Sequence, residues 1–277
     1  VVLEDLDLGP FGNRLPQFSF EVMRAAQPEG LQDAPLLHEA VKAIALMPGT
    51  GEYALATSPV TYRKAIGQAV SANVNTPAGV PDMRMSMEAL TGELPQCESV
   101  SLIVSWFGDD LRAGQCSVRP KVEQTAVDGV EMPWSVAGLS RSQAQTIAQI
   151  DGRPVYGGTP TDQSVIQAVQ AIHTAGKSVL FYPFLLMDQL AQNGKTDPYT
   201  GAADQPAFPW RGRITGDVAL GREGSTDQTA SNGQAVAAFF GTARATDFTI
   251  TSGAVSYSGP QEWSYRRFIL HCAAVCA

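Results

Sequence analysis

The chain has 277 residues, with 19 Lys and Arg against 27 Asp and Glu and a formal net charge of −8. A nucleic-acid binder needs a cationic footprint to displace phosphate counterions, and this balance supplies none. With 17% charged residues, 26 glycines and 18 prolines, the chain reads as folded, loop-rich and lightly charged, long enough for a sizeable core. Part of such a surface suits contact with other chains. No run of 18 or more uncharged apolar residues occurs, so no membrane span is expected. The start, Val1-Val2-Leu3-Glu4-Asp5-Leu6-Asp7, has neither the basic opening nor the apolar run of a signal peptide. It also lacks an initiator Met, which points to a processed chain or a segment of a longer one.

Residues 1–80 read as an irregular arm. Gln17-Phe18-Ser19-Phe20-Glu21-Val22 alternates as a half-buried strand does, after turn chemistry at Gly9-Pro10-Phe11-Gly12-Asn13. A helical patch is predicted from Leu36 to Ala45, stopped by Pro48-Gly49. An amphipathic run follows near Tyr62 to Ala72, inside a tract rich in Gly, Ser, Thr and Pro.

From Pro81 the pattern becomes strand and helix in alternation. Met83, Met87, Leu90 and Leu94 give a helix that ends at Pro95. Val100 to Trp106 is a β-branched and apolar run, as expected of a strand buried on both faces. Residues 107–138 lack periodicity; Ser140 to Ile150 reads as a short helix and Pro154 to Gly157 as a short strand. Asp162 to Ala175 is the clearest helix, with the stripe Val165, Ile166, Val169 and Ile172, Thr161 or Asp162 as N-cap, and Gly176 beyond its end. Ser178 to Met187 is a second buried strand. After the irregular stretch 188–225, helices are expected at Thr226 to Phe240 and Pro260 to Cys276.

Alternating strands and helices imply a parallel sheet covered by helices, so the fold class is α/β. A dinucleotide-binding doubly wound sheet requires G-x-G-x-x-G after a strand, and neither Phe107-Gly108-Asp109-Asp110 nor Gly157-Gly158-Thr159-Pro160 supplies it. A TIM-barrel-like (β/α) domain is therefore favoured over residues 81–277. Three barrel strands are expected, near 99–106, 154–157 and 178–187.

In such barrels the chemistry sits where strands end and in the loops that follow. The two long irregular stretches both begin at a strand end and carry the candidate carboxylates Asp109, Asp110 and Asp188, with Glu262 at the start of the last helix. The candidate substrate-binding residues are Trp106, Trp134, Tyr199, Trp210 and Arg211. Acids combined with aromatics suit carbohydrate: rings stack on the apolar sugar face while paired carboxylates divide acid from base or nucleophile. Each has a plainer reading, as a turn or cap for Asp109, Asp110 and Glu262 and as rim packing for Trp210 and Arg211. G-x-S-x-G is absent. Cys272 and Cys276 are four apart, but Cys97 and Cys116 flank a separate strand and only His271 is close. Buried thiols are the better reading, and no metal or cofactor is expected.

Five segments carry a resemblance: Val100 to Arg112, Asp151 to Pro160, Phe181 to Asp188, Pro206 to Ile214, and Gly259 to Phe268. Together they resemble the TIM-barrel-like, glycoside-hydrolase-like domain of the large tail hub protein of gene transfer agents and related phages of alphaproteobacteria. Gly12-Asn13-Arg14-Leu15-Pro16 with the Phe18 to Val22 strand is similar to the region that precedes that barrel. The resemblance implies a tail-tip or baseplate component of a virion or gene-transfer-agent particle, assembled in the bacterial cytoplasm. It implies other copies of the hub, in a trimer, and other tail proteins as partners, with peptidoglycan as the glycan met during cell-wall penetration. It further implies a chain continuing past Ala277, so that only the N-terminal half of a barrel of about 250 residues is expected here. The alternative function is an active glycoside hydrolase cleaving peptidoglycan glycan strands.

Overall fold

The computed structural model describes residues 30, 33–65, 67–251 and 254–277. The predicted strand at Gln17 to Val22 lies outside the described residues. The architecture is mixed α/β, with one four-stranded sheet, three strands parallel and a short antiparallel piece, Val118–Arg119, at the end of the central strand, and several two-stranded pairs. Strands β1 (Ala43–Leu46), β2 (Ser99–Gly108) and β3 (Ser178–Met187) lie side by side in chain order, β2 central and parallel to both neighbours. Helix α1 (Asp82–Glu93) lies between β1 and β2 in sequence, and α2 (Asp162–Thr174) between β2 and β3. Helices α3 (Ala230–Phe240) and α4 (Tyr265–Cys276) follow β3.

The register divides the sheet into two faces. Ile44 and Leu46 of β1, Val100, Leu102 and Val104 of β2, and Val179 and Phe181 of β3 share one face. That face packs on Met83, Met87 and Leu90 of α1, Val165, Ala168 and Ile172 of α2, and Val275 of α4. A second cluster joins Trp106 to Tyr53, Val118, Trp134, Phe268 and Cys272. On the other face lie Ala43, Ala45, Ser101, Ile103, Ser105, Leu180, Tyr182 and Phe184, all half-buried or exposed. Leu180 is 63% exposed there, against 0% for Leu102 on the helix side.

Helices α1 and α2 occupy the expected places. Gly176, at φ +72°, supplies the left-handed residue that ends α2, where a Cβ would be strained. Other predicted elements change. Leu36 to Ala45 is not one helix: a single turn at Leu37–Ala40 gives way to β1, whose Ile44 and Leu46 pack on the core. Residues 43–80 thus pack directly on the later part of the chain. The run near Tyr62 to Ala72 is an antiparallel hairpin of Thr61–Ala65 with Gln68–Ser71. Ser140 to Ile150 is no helix but short extended pieces around a tight turn at Arg141–Gln143. Arg141 there turns into the protein to meet two carboxylates, which a helix in this segment would have traded for exposed polar turns. Pro154 to Gly157 does not join the sheet; only Arg153–Pro154 is extended, pairing with Gln149–Ile150. The predicted helices after β3 shorten to Ala230–Phe240, capped by the Thr229 side chain, and Tyr265–Cys276, capped by Ser264. An unpredicted hairpin, Phe248–Thr251 with Ala254–Tyr257, precedes the last helix.

Candidate functional site

β2 and β3 end together: the Asp188 N–H donates to the Gly108 carbonyl at 2.8 Å, extending the ladder one residue. The acidic residues after each strand are therefore neighbours. Asp109 accepts from the Ser117 N–H at 2.8 Å and its hydroxyl at 3.0 Å. Asp110, 3% exposed, receives Nε and Nη2 of Arg112 at 3.0 and 2.8 Å and the Gln205 amide at 2.8 Å. Burial pushes the Asp110 carboxyl up, but the Arg112 and Gln205 hydrogen bonds outweigh it and hold it below the usual carboxylate range. Asp188, 5% exposed, pairs with Lys121 Nζ at 2.9 Å and accepts from the Ala148 N–H at 3.0 Å. Gln189, next to Asp188 in the chain, donates to Gln205 at 3.0 Å and so reaches the Asp110 network.

Glu262 lies apart from these. It stands two residues before the Ser264 cap rather than within the helix, accepting from the N–H groups of Thr242 and Ala243 and the hydroxyls of Thr242 and Ser264. Burial raises its pKa, but those hydrogen bonds together lower it. Asp110 and Glu262 are thereby held ionised, the wrong state for a general acid.

The aromatic candidates separate in the same way. Trp106 and Trp134 are 0% and 1% exposed, so neither offers a ring face to a ligand. The Trp106 ring packs on Phe268, His271 and Trp263, while Trp134 Nε1 donates to the Thr159 carbonyl at 2.8 Å. The apolar bulk of an indole repays burial beside a strand end more than exposure there does. Tyr199 donates its hydroxyl to the Arg213 carbonyl at 2.8 Å, and its ring lies under the Arg213 guanidinium at 4.3 Å. Trp210 is 67% exposed, with its ring lying over Gly212. The Arg211 guanidinium sits 4.3 Å above the Phe184 ring and 3.5 Å from the Tyr182 hydroxyl. Arg211 thus meets Tyr182 and Phe184 on the uncovered face of β3. Arg211 also borders a cavity of about 470 Å³ walled by Leu185, Val236, Phe239, Phe240 and Tyr265.

A smaller cavity of about 180 Å³ lies where β1 and β2 end, between Leu46, Ile103, Ser105, Tyr156, Gly158 and Leu186. Beside it is a carboxyl that sequence reasoning missed. Glu123 accepts from the Gly158 N–H at 3.0 Å, and its Oε1 fills the space a Cβ on Gly51 would need, at 2.6 Å. Burial, reinforced by the nearby Glu52 charge, raises its pKa against the opposing Gly158 hydrogen bond. Below it Glu52 is 2% exposed and bound by Arg141, whose Nη2 approaches at 2.5 Å and Nη1 at 3.1 Å. Arg141 Nε also meets Asp128 at 2.9 Å. The only sequence signal for Glu123 and Asp128 was that they lie in the aperiodic stretch 107–138, too long to be idle.

His271, which has no acidic neighbour in local sequence, pairs through Nε2 with Asp162 at 2.9 Å across the α2–α4 packing. All four cysteines are free, and burial raises the Cys272 thiol well above its ordinary value. Among the described residues no group of three or more His, Cys, Asp or Glu is arranged to hold a metal ion. No helix among them is long and apolar enough to cross a membrane.

No protein-family model matches the chain, and no curated protein matches it.

Proposed function

We propose that this chain is a segment of a tail hub, or baseplate, protein of a gene transfer agent or related phage, carrying part of a glycoside-hydrolase-like TIM barrel that faces cell-wall glycan. The observation that supports the barrel reading is the sheet: three parallel strands in chain order, with α1, α2 and α4 packed on one face. A doubly wound sheet puts helices on both faces, whereas a barrel puts them on the outside only. The inner face would then be Ala45, Ile103, Leu180, Tyr182 and Phe184, with Phe184 nearest the C-terminal strand ends where a barrel opens to its ligand. The hub reading rests on the five resembling segments, and its partners are other hub copies and tail proteins. The test is to tag the protein in a particle-producing strain and examine purified particles. Recovery at the tail tip is expected; a tagged protein that is soluble, monomeric and absent from particles overturns the hub reading.

The second reading, a hydrolase acting on peptidoglycan glycan strands, is favoured by one observation, the Glu123 carboxyl beside the smaller cavity with its raised pKa. A carboxyl biased toward its protonated form is what a glycosidic leaving group requires. On this reading Glu123→Gln lowers turnover of glycan strands by about 10²-fold or more, in line with loss of a general acid. Glycan-cleaving activity that survives the substitution removes Glu123 from the chemistry.

A further inference from the structure

The uncovered face of β3 carries a cation that no carboxylate among the described residues neutralises. Among the described residues Arg211 pairs with no carboxylate; its guanidinium rests on the Phe184 ring at 4.3 Å, with Nη2 3.5 Å from the Tyr182 hydroxyl. This contrasts with Arg112 and Arg141, each of which holds one or more acids. Trp210, immediately before it, leaves 67% of its surface in solvent, and Tyr182 leaves 42%. The turn at Arg211–Arg213 fixes this arrangement through the Arg213 N–H to Trp210 carbonyl hydrogen bond at 3.0 Å.

From this geometry we infer that Trp210, Arg211, Tyr182 and Phe184 form a binding site for a carboxylate-bearing sugar. The inference rests on the glycan-facing reading above and names the ligand class at that site. An exposed indole and phenol offer flat apolar surfaces to the C–H face of a pyranose ring. The guanidinium presents a planar fork of donors matched to a carboxylate, and its stacking on Phe184 limits the freedom lost on binding. Hydrolysis of a glycosidic bond calls for two carboxyl groups, and among the described residues Arg211 meets none, so the site holds the sugar without cleaving it.

The experiment is a calorimetric or NMR titration of the purified chain with glucuronate and N-acetylmuramate, each beside its neutral counterpart, glucose or N-acetylglucosamine. The acidic sugars are expected to bind at least tenfold more tightly than the neutral ones, with a preference that fades in high salt. Tighter binding of glucuronate identifies a surface polysaccharide as the source, and tighter binding of N-acetylmuramate a cell-wall glycan whose lactyl carboxylates are free of stem peptide. Arg211→Gln should abolish the acidic preference and Arg211→Lys restore only part of it; Trp210→Ala should weaken acidic and neutral sugars alike. Absence of binding, equal binding of acidic and neutral sugars, or a preference that survives Arg211→Gln in a variant with an unchanged melting curve overturns the inference. So does self-association that buries Trp210 with no response to any sugar. Loss of sugar binding in a protein that still enters particles refutes this site and leaves the hub reading standing; sugar binding by a protein absent from particles does the reverse.

Discussion

Arg141 and Arg211 both follow irregular chain, yet their surroundings are opposite. Arg141 is 3% exposed, bound to Glu52 and Asp128, with its guanidinium 5.9 Å from the ring centres of both Tyr53 and Tyr62. Arg211 is half-buried on one aromatic ring, with no acid among the described residues. A cation whose charge is met from within the chain is committed to holding loops together. One whose charge is left over is available to something else. The same division runs through the sheet, where the helix face is filled and the other face is not.

The largest effect should come from the Arg141 side. Arg141→Ala leaves Glu52 charged, buried and unpartnered, and should cost about 3–5 kcal/mol in a urea or thermal melt. Restoring part of that stability with Glu52→Gln in the same chain would confirm that the orphaned charge is the cause. If Arg141→Ala melts like the parent, the contrast between the two arginines collapses.

Next in size is the comparison of the two sheet faces. Leu102→Ala removes a fully buried side chain and should cost about 2–5 kcal/mol. Leu180→Ala, on the open face, should fall within about 0.5 kcal/mol. Equal costs for the pair, measured by chemical denaturation, would mean that the open face is packed in solution.

A smaller effect concerns pH. Because Arg112 holds the Asp110 carboxyl below its ordinary range, the folded state binds that proton less readily than the unfolded state does. The stability it contributes is present above the unfolded pKa of about 4 and is lost as pH falls through the lower folded value. Asp110→Asn should therefore be less stable than the parent at neutral pH, with a gap that narrows in acid. Melting curves from pH 7 down to about 2 will check it, and a constant gap would contradict the ion-pair account.

The smallest change in stability is expected at Arg211. Arg211→Gln removes a half-exposed cation with no ion partner and should move the melting free energy by no more than about 0.5 kcal/mol. A large loss would make Arg211 a structural residue after all and bring it level with Arg141.

Much of the scaffold was legible because its signals are local. Val100 to Trp106 and Ser178 to Met187 are long apolar runs, and the Val165–Ile172 stripe ends at a glycine. Such elements are chosen by backbone and side-chain preferences that act over a few residues. β1 was not legible: four residues, Ala43-Ile44-Ala45-Leu46, have little preference of their own and become a strand because the edge of β2 is there to receive them.

The site was legible in composition and not in arrangement. Sequence marks strand ends followed by Asp109, Asp110 and Asp188, and an aromatic–basic run at Trp210-Arg211. It cannot say that the aspartates are taken by Ser117, Arg112 and Lys121, because those partners are found by folding and lie up to 67 residues away. Nor does it say that Trp106 and Trp134 turn inward while Trp210 stays out, since an indole has the same apolar bulk wherever it stands. The sequence by itself determined the α/β alternation, the two long strands, the best helix and the low charge. Tertiary structure alone decided which charges are matched, because burial and pairing depend on contacts between distant segments that no local pattern encodes.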